Sequence, residues 1–176
     1  MKLSKFVFTK KFYPEKNLIE FEGSLISLHC HHFNCGLLKG LEELKGIDGL
    51  NLFVKTTEEV YYHFFSDYLK RHPEFETIED KLQVASEMYY AFGYGLLDLS
   101  NLTENGGIAK ARSSYYVTAW LAKYGRRYSP VCYFTCGFIA GILEVIFNKS
   151  LGTYRVKEIN CLIVGDDYCK FEVEKI

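Results

Sequence analysis

Two turn signals in the C-terminal half constrain this chain more than any other feature. Asn105-Gly106-Gly107 stands between the β-prone runs 96–102 and 108–111, and Gly165-Asp166-Asp167 stands between 153–164 and 168–173. Residues of this kind tolerate positive φ, and strands joined by so short a connection run antiparallel. The rest of the chain alternates helical spacing with aromatic, β-branched runs, without repeating strand–helix–strand units. That combination predicts an α+β domain in which an antiparallel sheet packs against a helical layer.

The N-terminal half reads as strands at 5–12 and 25–30, then a helix over 31–44 whose apolar residues Phe33, Leu37, Leu38, Leu41 and Leu44 recur at helical spacing. Gly46 and Gly49 are expected to close it. A capping box, Thr56 with Glu59, predicts a helix from there to Arg71, stopped by His72-Pro73. Thr77 is the expected N-cap of a third helix, 78–92, ended by Gly93 and Gly95. Residues 115–124 read as a short helix. Ser129-Pro130 is expected to open another that runs to about residue 147.

With 176 residues, 48% hydrophobic and 16% aromatic, the chain can bury one substantial core, so 1–176 is read as a single domain. The net charge of -1, with both signs interspersed, argues against direct nucleic-acid binding. No apolar run approaches the roughly 18 residues a membrane span needs. The apolar stretch at Phe6–Phe8 is too short for a secretory signal. The expected location is cytoplasmic, where six cysteines are not a disulfide framework.

Chemistry concentrates near the C-terminus. Cys136 falls in the 130–147 helix, Glu158 and Cys161 on the first strand of the last hairpin, and Cys169 on its second. Three thiolates and a carboxylate can complete a tetrahedral zinc site, which with four protein ligands is structural by default. Strand alternation sends Glu158 and Cys161 to opposite faces, so a bulge near Asn160 is needed to reunite them. Spacing alone leaves open a plainer reading, with the cysteines as small buried hydrophobes and Glu158 at the surface. Cys132, one helical turn before Cys136, can compete as a ligand but reads as a core residue.

The stretch Val131-Cys132-Tyr133-Phe134-Thr135-Cys136-Gly137-Phe138-Ile139-Ala140-Gly141, then Lys157-Glu158-Ile159-Asn160-Cys161, then Gly165-Asp166-Asp167-Tyr168-Cys169-Lys170-Phe171, resembles the 4-vinyl reductase domain. The family-like region runs from about residue 93 to 176 and is clearest over 131–171. The resemblance implies a fold shared with TRAPP-complex subunits and with the sensor domains of phenol-responsive activators. Carried over by position, it also implies Cys136, Glu158, Cys161 and Cys169 as zinc ligands. A pocket for an aromatic molecule is implied beside the zinc, with Tyr90, Tyr94, Tyr115, Tyr116 and Trp120 as its candidates, and Tyr89 and Phe92 nearby.

Residues 29–35 form a second concentration of ligand types: His29, Cys30, His31, His32 and Cys35. In a helix starting near His31, His31 and Cys35 lie one turn apart, able to hold a second metal or to pair a thiol with a base. The function expected is binding of a small hydrophobic or aromatic molecule by a homodimer with structural zinc. The alternatives are a metal- or thiol-dependent enzyme using residues 29–35, and an assembly adaptor without a small ligand. No Gly-x-Gly-x-x-Gly fingerprint supports an intrinsic reductase.

Overall fold

The computed structural model describes residues 5–176. Met1–Ser4, at the start of the segment read as too short for a signal peptide, lies outside the described residues. The chain begins with β1 (Lys10–Tyr13), β2 (Leu18–Phe21) and β3 (Ser24–Ile26), an antiparallel three-stranded meander. Sequence alone predicts two strands here; the third, β2, lies between them. The connection before it closes through Asn17 at φ 52°, a left-handed position that asparagine tolerates.

Helix α1 (His31–Glu42) forms where its periodicity places it, but Gly49 starts α2 (Gly49–Arg71) instead of closing α1. The Asp48 carboxylate accepts the Asn51 N–H at 3.0 Å and caps α2. The Thr56–Glu59 capping box therefore sits inside a helix rather than at its start. Gly49 is required by proximity: a Cβ there would stand 2.1 Å from the Leu41 carbonyl oxygen. Helix α3 (Ile78–Ala91) is capped by the Thr77 hydroxyl, as expected, and Gly93 at φ 80° turns the chain out of it.

The second sheet holds β4 (Gly95–Asp98), β5 (Leu102–Thr103), β6 (Gly106–Ser114), β7 (Tyr154–Asn160) and β8 (Cys169–Lys175). Its order is β4-β6-β8-β7, with β5 also on β6, and every pairing is antiparallel. Ala109, Ala111, Phe171, Val173 and Tyr154 are buried on one face, while Lys110, Arg112, Glu172 and Glu174 alternate with them toward solvent. This is the α+β architecture, and both turn signals connect strands of this one sheet.

Helix α4 (Tyr115–Tyr124) follows β6, and α5 (Tyr133–Ile146) lies between α2 and β7. Two glycines set how closely α5 approaches α2. A Cβ on Gly137 would fall 2.3 Å from the Val54 carbonyl oxygen, and one on Gly141 would fall 2.3 Å from that of Glu58. No backbone tolerates such contacts, so a side chain at either site must push the helices apart. Gly141→Ala is expected to cost about 1–3 kcal/mol, read as a lower denaturation midpoint at unchanged slope. An unchanged midpoint would mean that the α2–α5 spacing contributes nothing to stability.

Candidate metal centre and aromatic interior

Helix α5 starts three residues later than Ser129-Pro130 suggests, and this shift remakes the candidate site. Cys132 is its N-cap residue, in a non-helical conformation (φ -87°, ψ 42°), so its side chain leaves the helix toward the sheet. The Cys132 N–H donates to Glu158 Oε2 at 2.9 Å. Glu158 thereby caps α5 from the neighbouring strand, a favourable place for a carboxylate.

The strand β7 also carries the irregularity that the chemistry required. Glu158 faces Phe171 and Asn160 faces Lys170, so Ile159 is an extra residue in β7. The bulge brings Glu158 and Cys161 back to one side despite their odd spacing. Beyond it, residues Leu162–Val164 form a 3-10 turn, and the Asp166 carboxylate accepts the Cys161 N–H at 2.7 Å. Asp166 serves the turn, as expected of its position.

The ligand-type atoms of Cys132, Glu158, Cys161 and Cys169 lie within 4.8 Å of one another, and all four residues are buried. The structure thus gathers Cys132 in place of Cys136. Cys136, buried one turn further along α5, stays outside the four, and burial raises its thiol far above the usual range. The exchange follows from the helix start: an N-cap side chain can reach the sheet, whereas one a turn inside the helix stays against its neighbours.

The donor set fits a tetrahedral cation in spacing as well as in type. Thiolates about 2.3 Å from one such ion stand about 3.8 Å apart. The Cys132 and Cys169 sulfurs are 3.8 Å apart, and those of Cys169 and Cys161 3.7 Å. Glu158 Oε1 is buried with no hydrogen-bond partner, which leaves a lone pair for an electrophile. Backbone and hydroxyl donors surround the sulfurs: the Leu162 N–H lies 3.5 Å from Cys169 Sγ, and Ser114 Oγ lies 3.3 Å from Cys132 Sγ.

Without a cation the group is electrostatically frustrated. Burial, then the neighbouring Cys161 sulfur, raises the Glu158 carboxyl to about 8. The Cys161 thiol is pulled far down by hydrogen bonds from Cys132 and Cys169, whereas Cys132 is pushed well up, mainly because it donates to Cys161. Cys161 is thus the group that ionises most readily, and it holds its neighbours toward their neutral forms. A divalent ion would let all four donors ionise together.

The first turn of α5 also enters an aromatic interior. Phe134 packs 4.4 Å from Tyr94, 5.3 Å from Tyr116 and 5.5 Å from Tyr61, centroid to centroid. Phe138, one turn on, lies 4.8 Å from Tyr61 and 4.9 Å from Tyr89. Polar handles occur inside this apolar group. The Tyr61 hydroxyl donates to that of Tyr94 at 2.9 Å, and the Tyr89 hydroxyl and Thr135 Oγ1 share a hydrogen bond at 2.7 Å. Burial raises the Tyr61 and Tyr94 hydroxyls, so both remain neutral donors.

Of the residues named for a pocket, Tyr94 and Tyr116 belong to this interior. Tyr115 stands at its side, its hydroxyl accepting from Asn34 Nδ2 at 3.1 Å. Tyr90 is 37% exposed and turned away. Trp120 is buried elsewhere, between Tyr124 and the Arg127 guanidinium. Tyr61, Phe134 and Phe138 were not named from sequence, although each lies at helical spacing on α2 or α5. An open groove of about 690 Å³ lies apart from these rings, between α3 and β4, lined by Leu82, Leu97 and Leu102 with Glu79 and Asp98.

Residues 29–35 do not converge. Cys35 is fully buried, Cys30 is exposed as the N-cap of α1, and His29 stacks on Phe33 at 4.4 Å. The His31 and His32 rings lie 4.0 Å apart, centroid to centroid, tilted by 37°. Among the described residues, the thiol–carboxylate group near the C-terminus is the one place where three or more such ligands gather.

Residues 115–175 match the 4-vinyl reductase domain, and so contain all four clustered residues. Over 46 residues the chain is 50% identical to the uncharacterized protein MJ0855 of Methanocaldococcus jannaschii, covering 26% of this chain and 20% of that protein. Over 47 residues it is 47% identical to MJ0745 of the same organism, covering 27% and 24%. The chain thus spans about a fifth to a quarter of the length of the curated relatives it matches. The whole fold resembles the crystal structure of the phenol-responsive sensory domain of the transcription activator PoxR with phenol. That likeness has a TM-score of 0.76 at 16% identity, over 94% of this chain and 84% of the other. A vinyl-4-reductase family protein from M. jannaschii aligns with a TM-score of 0.47 at 20% identity, over 87% and 99%. Residues 115–175 therefore carry the match to the 4-vinyl reductase domain, and the fold as a whole resembles that of the phenol-responsive sensory domain.

The geometry separates Cys132 from Cys136 experimentally. Cys132→Ser is expected to abolish stoichiometric binding of cobalt(II), followed by its thiolate absorption, while Cys136→Ser retains it. The reverse result would restore Cys136 as the ligand and refute the placement at the N-cap.

Proposed function

We propose that this chain binds a small hydrophobic, aromatic molecule in the interior framed by α2, α4 and α5, beside a structural zinc held by Cys132, Glu158, Cys161 and Cys169. The observation that carries this reading is the double use of one helix turn. Residues 132–135 supply a thiol to the metal group at Cys132, a ring to the aromatic interior at Phe134, and a hydroxyl to Tyr89 at Thr135. A metal that fixes the start of α5 would therefore also fix the wall against which a ligand packs.

The chemistry favours zinc, since three thiolates and one carboxylate suit a borderline-soft, redox-inert ion with tetrahedral preference. With all four positions filled by protein, the ion serves folding and leaves none for a substrate. The paired hydroxyls of Tyr61 and Tyr94 suit a ligand that is an aromatic ring with one polar substituent, a phenol being the simplest. The fold likeness to a phenol sensor supports that ligand class. The dispersal of residues 29–35 removes the main support for an enzyme reading.

We further propose a homodimer in the cytoplasm. Leu25, Leu28, Phe12, Phe33 and Leu37 are exposed on β1, β3, α1 and the segment before it, an apolar surface suited to self-association. All six cysteines are free, which suits a reducing compartment. Among the described residues no helix is long and apolar enough to cross a membrane.

Protein purified without a metal-affinity tag is expected to contain about one zinc per chain by elemental analysis. Phenol is expected to raise its melting temperature through preferential binding to the folded state, and Tyr94→Ala to weaken that shift about tenfold or more in ligand concentration, as loss of a buried ring and hydroxyl together requires. Absence of zinc would leave the cysteines as core packing. Zinc without any phenol response would remove the ligand reading and favour an assembly adaptor.

A further inference from the structure

A second buried acidic group lies at the opposite end of α5 from the thiols. Glu144 on α5 is fully buried and Glu58 on α2 is 8% exposed. The glycine-mediated approach of the two helices, where Gly141 meets the Glu58 carbonyl, sets their carboxyl groups side by side. Each holds the turn that leads into β7. The Gly152 N–H donates to Glu58 Oε1 at 2.8 Å, and the Thr153 N–H donates to Glu144 Oε1 at 2.9 Å.

What this arrangement lacks is a positive charge. Glu144 Oε2 is buried without a donor. Among the described residues no cation pairs with either carboxyl. From the turn, Lys149 sends its ammonium to Glu104 at 2.7 Å and only its backbone N–H to the Glu144 carbonyl. From β7, Tyr154 directs its hydroxyl to the Glu104 carbonyl at 2.8 Å. From α2, the titratable group against Glu144 is Glu58. Two buried carboxylates in contact cannot both remain ionised, and a proton between them supplies the missing donor.

We propose that Glu58 and Glu144 share a single proton and form a pH-sensitive latch, fastening α2 and α5 to the turn that starts β7. With the proton present, a carboxylic acid on Glu144 donates to the Glu58 carboxylate while both keep their backbone N–H partners. When the proton leaves, the two charges repel and the turn at Gly152–Thr153 loosens. Because β7 carries Glu158 and α5 carries Cys132 and Phe134, the latch joins both ends of the helix to the elements around the thiol cluster. It does not depend on metal or ligand binding.

The direction of the effect follows from the Glu144 carboxyl, which burial and then Glu58 raise to about 8. Its proton affinity is higher in the folded than in the unfolded chain. Its contribution to stability is therefore fully present below the unfolded carboxylate pKa and is lost as pH rises through about 8. Glu158 titrates in the same range in metal-free protein, so only the difference between wild type and variant reports the latch.

The test is the melting temperature from about pH 6 to about pH 9 for wild type, Glu144→Gln and Glu58→Gln, with infrared detection of protonated carboxyl groups. Glutamine keeps the shape and supplies a permanent N–H donor. Both variants are expected to show a flatter profile and to melt several degrees above wild type at the alkaline end. The wild type is expected to show a carboxylic-acid band that Glu144→Gln lacks. Parallel profiles for wild type and variants would overturn the latch. So would a missing band difference, or the failure of both variants to fold, since the proposal requires that an amide replace the acid.

Discussion

Helix α5 is almost entirely buried, from Thr135 to Ile146, and the remainder of the fold is arranged to accommodate it. A helix with so little solvent contact cannot satisfy its ends with water, so each end needs partners from elsewhere in the chain. At the start the Glu158 carboxylate accepts the Cys132 N–H. At the finish the Lys149 N–H returns to the Glu144 carbonyl at 2.7 Å. Along its length Gly137 and Gly141 admit the backbone of α2 to distances that any side chain would forbid.

Burying this helix concentrates acidic chemistry at both ends. The thiol cluster and the Glu58–Glu144 pair are groups of potential negative charge without an internal counter-ion. Each contains one of the two buried side-chain oxygens that find no donor among the described residues. Their donors suit them to different partners. Sulfur atoms 3.7 and 3.8 Å apart are spaced as ligands of one soft cation. Two carboxylates, each already accepting a backbone N–H, are better served by a proton.

The metal-type cluster and the aromatic interior are joined over a short distance. Within four residues α5 passes from the cysteine cluster to the tyrosine hydroxyls of the interior, so a single helical turn borders both. The aromatic rings contribute both bulk and a few directed hydroxyls, the combination needed to orient a ring that carries one polar group. The α+β frame itself is compatible with many activities, and these particular side chains are what distinguish this one.

Much of this was legible in the sequence because it is local. Helical periodicity placed α1 and α3, Thr77 announced its own cap, and the two glycine-rich turns specified an antiparallel sheet, since no other pairing accommodates so short a link. Glu158, Cys161 and Cys169 were legible as a group because one hairpin carries them, and the need for a bulge beside Asn160 followed from strand alternation alone. What only the tertiary structure decided is where elements meet. Cys132 rather than Cys136 joins the cluster because Glu158, a residue distant in sequence, caps α5 at that point. Gly49 starts a helix rather than ending one because Asp48 caps α2 there, and the Leu41 carbonyl beside it leaves no room for a side chain. The Glu58–Glu144 contact leaves no trace in spacing, since it exists only through the approach of two helices whose separation is set by the absence of side chains.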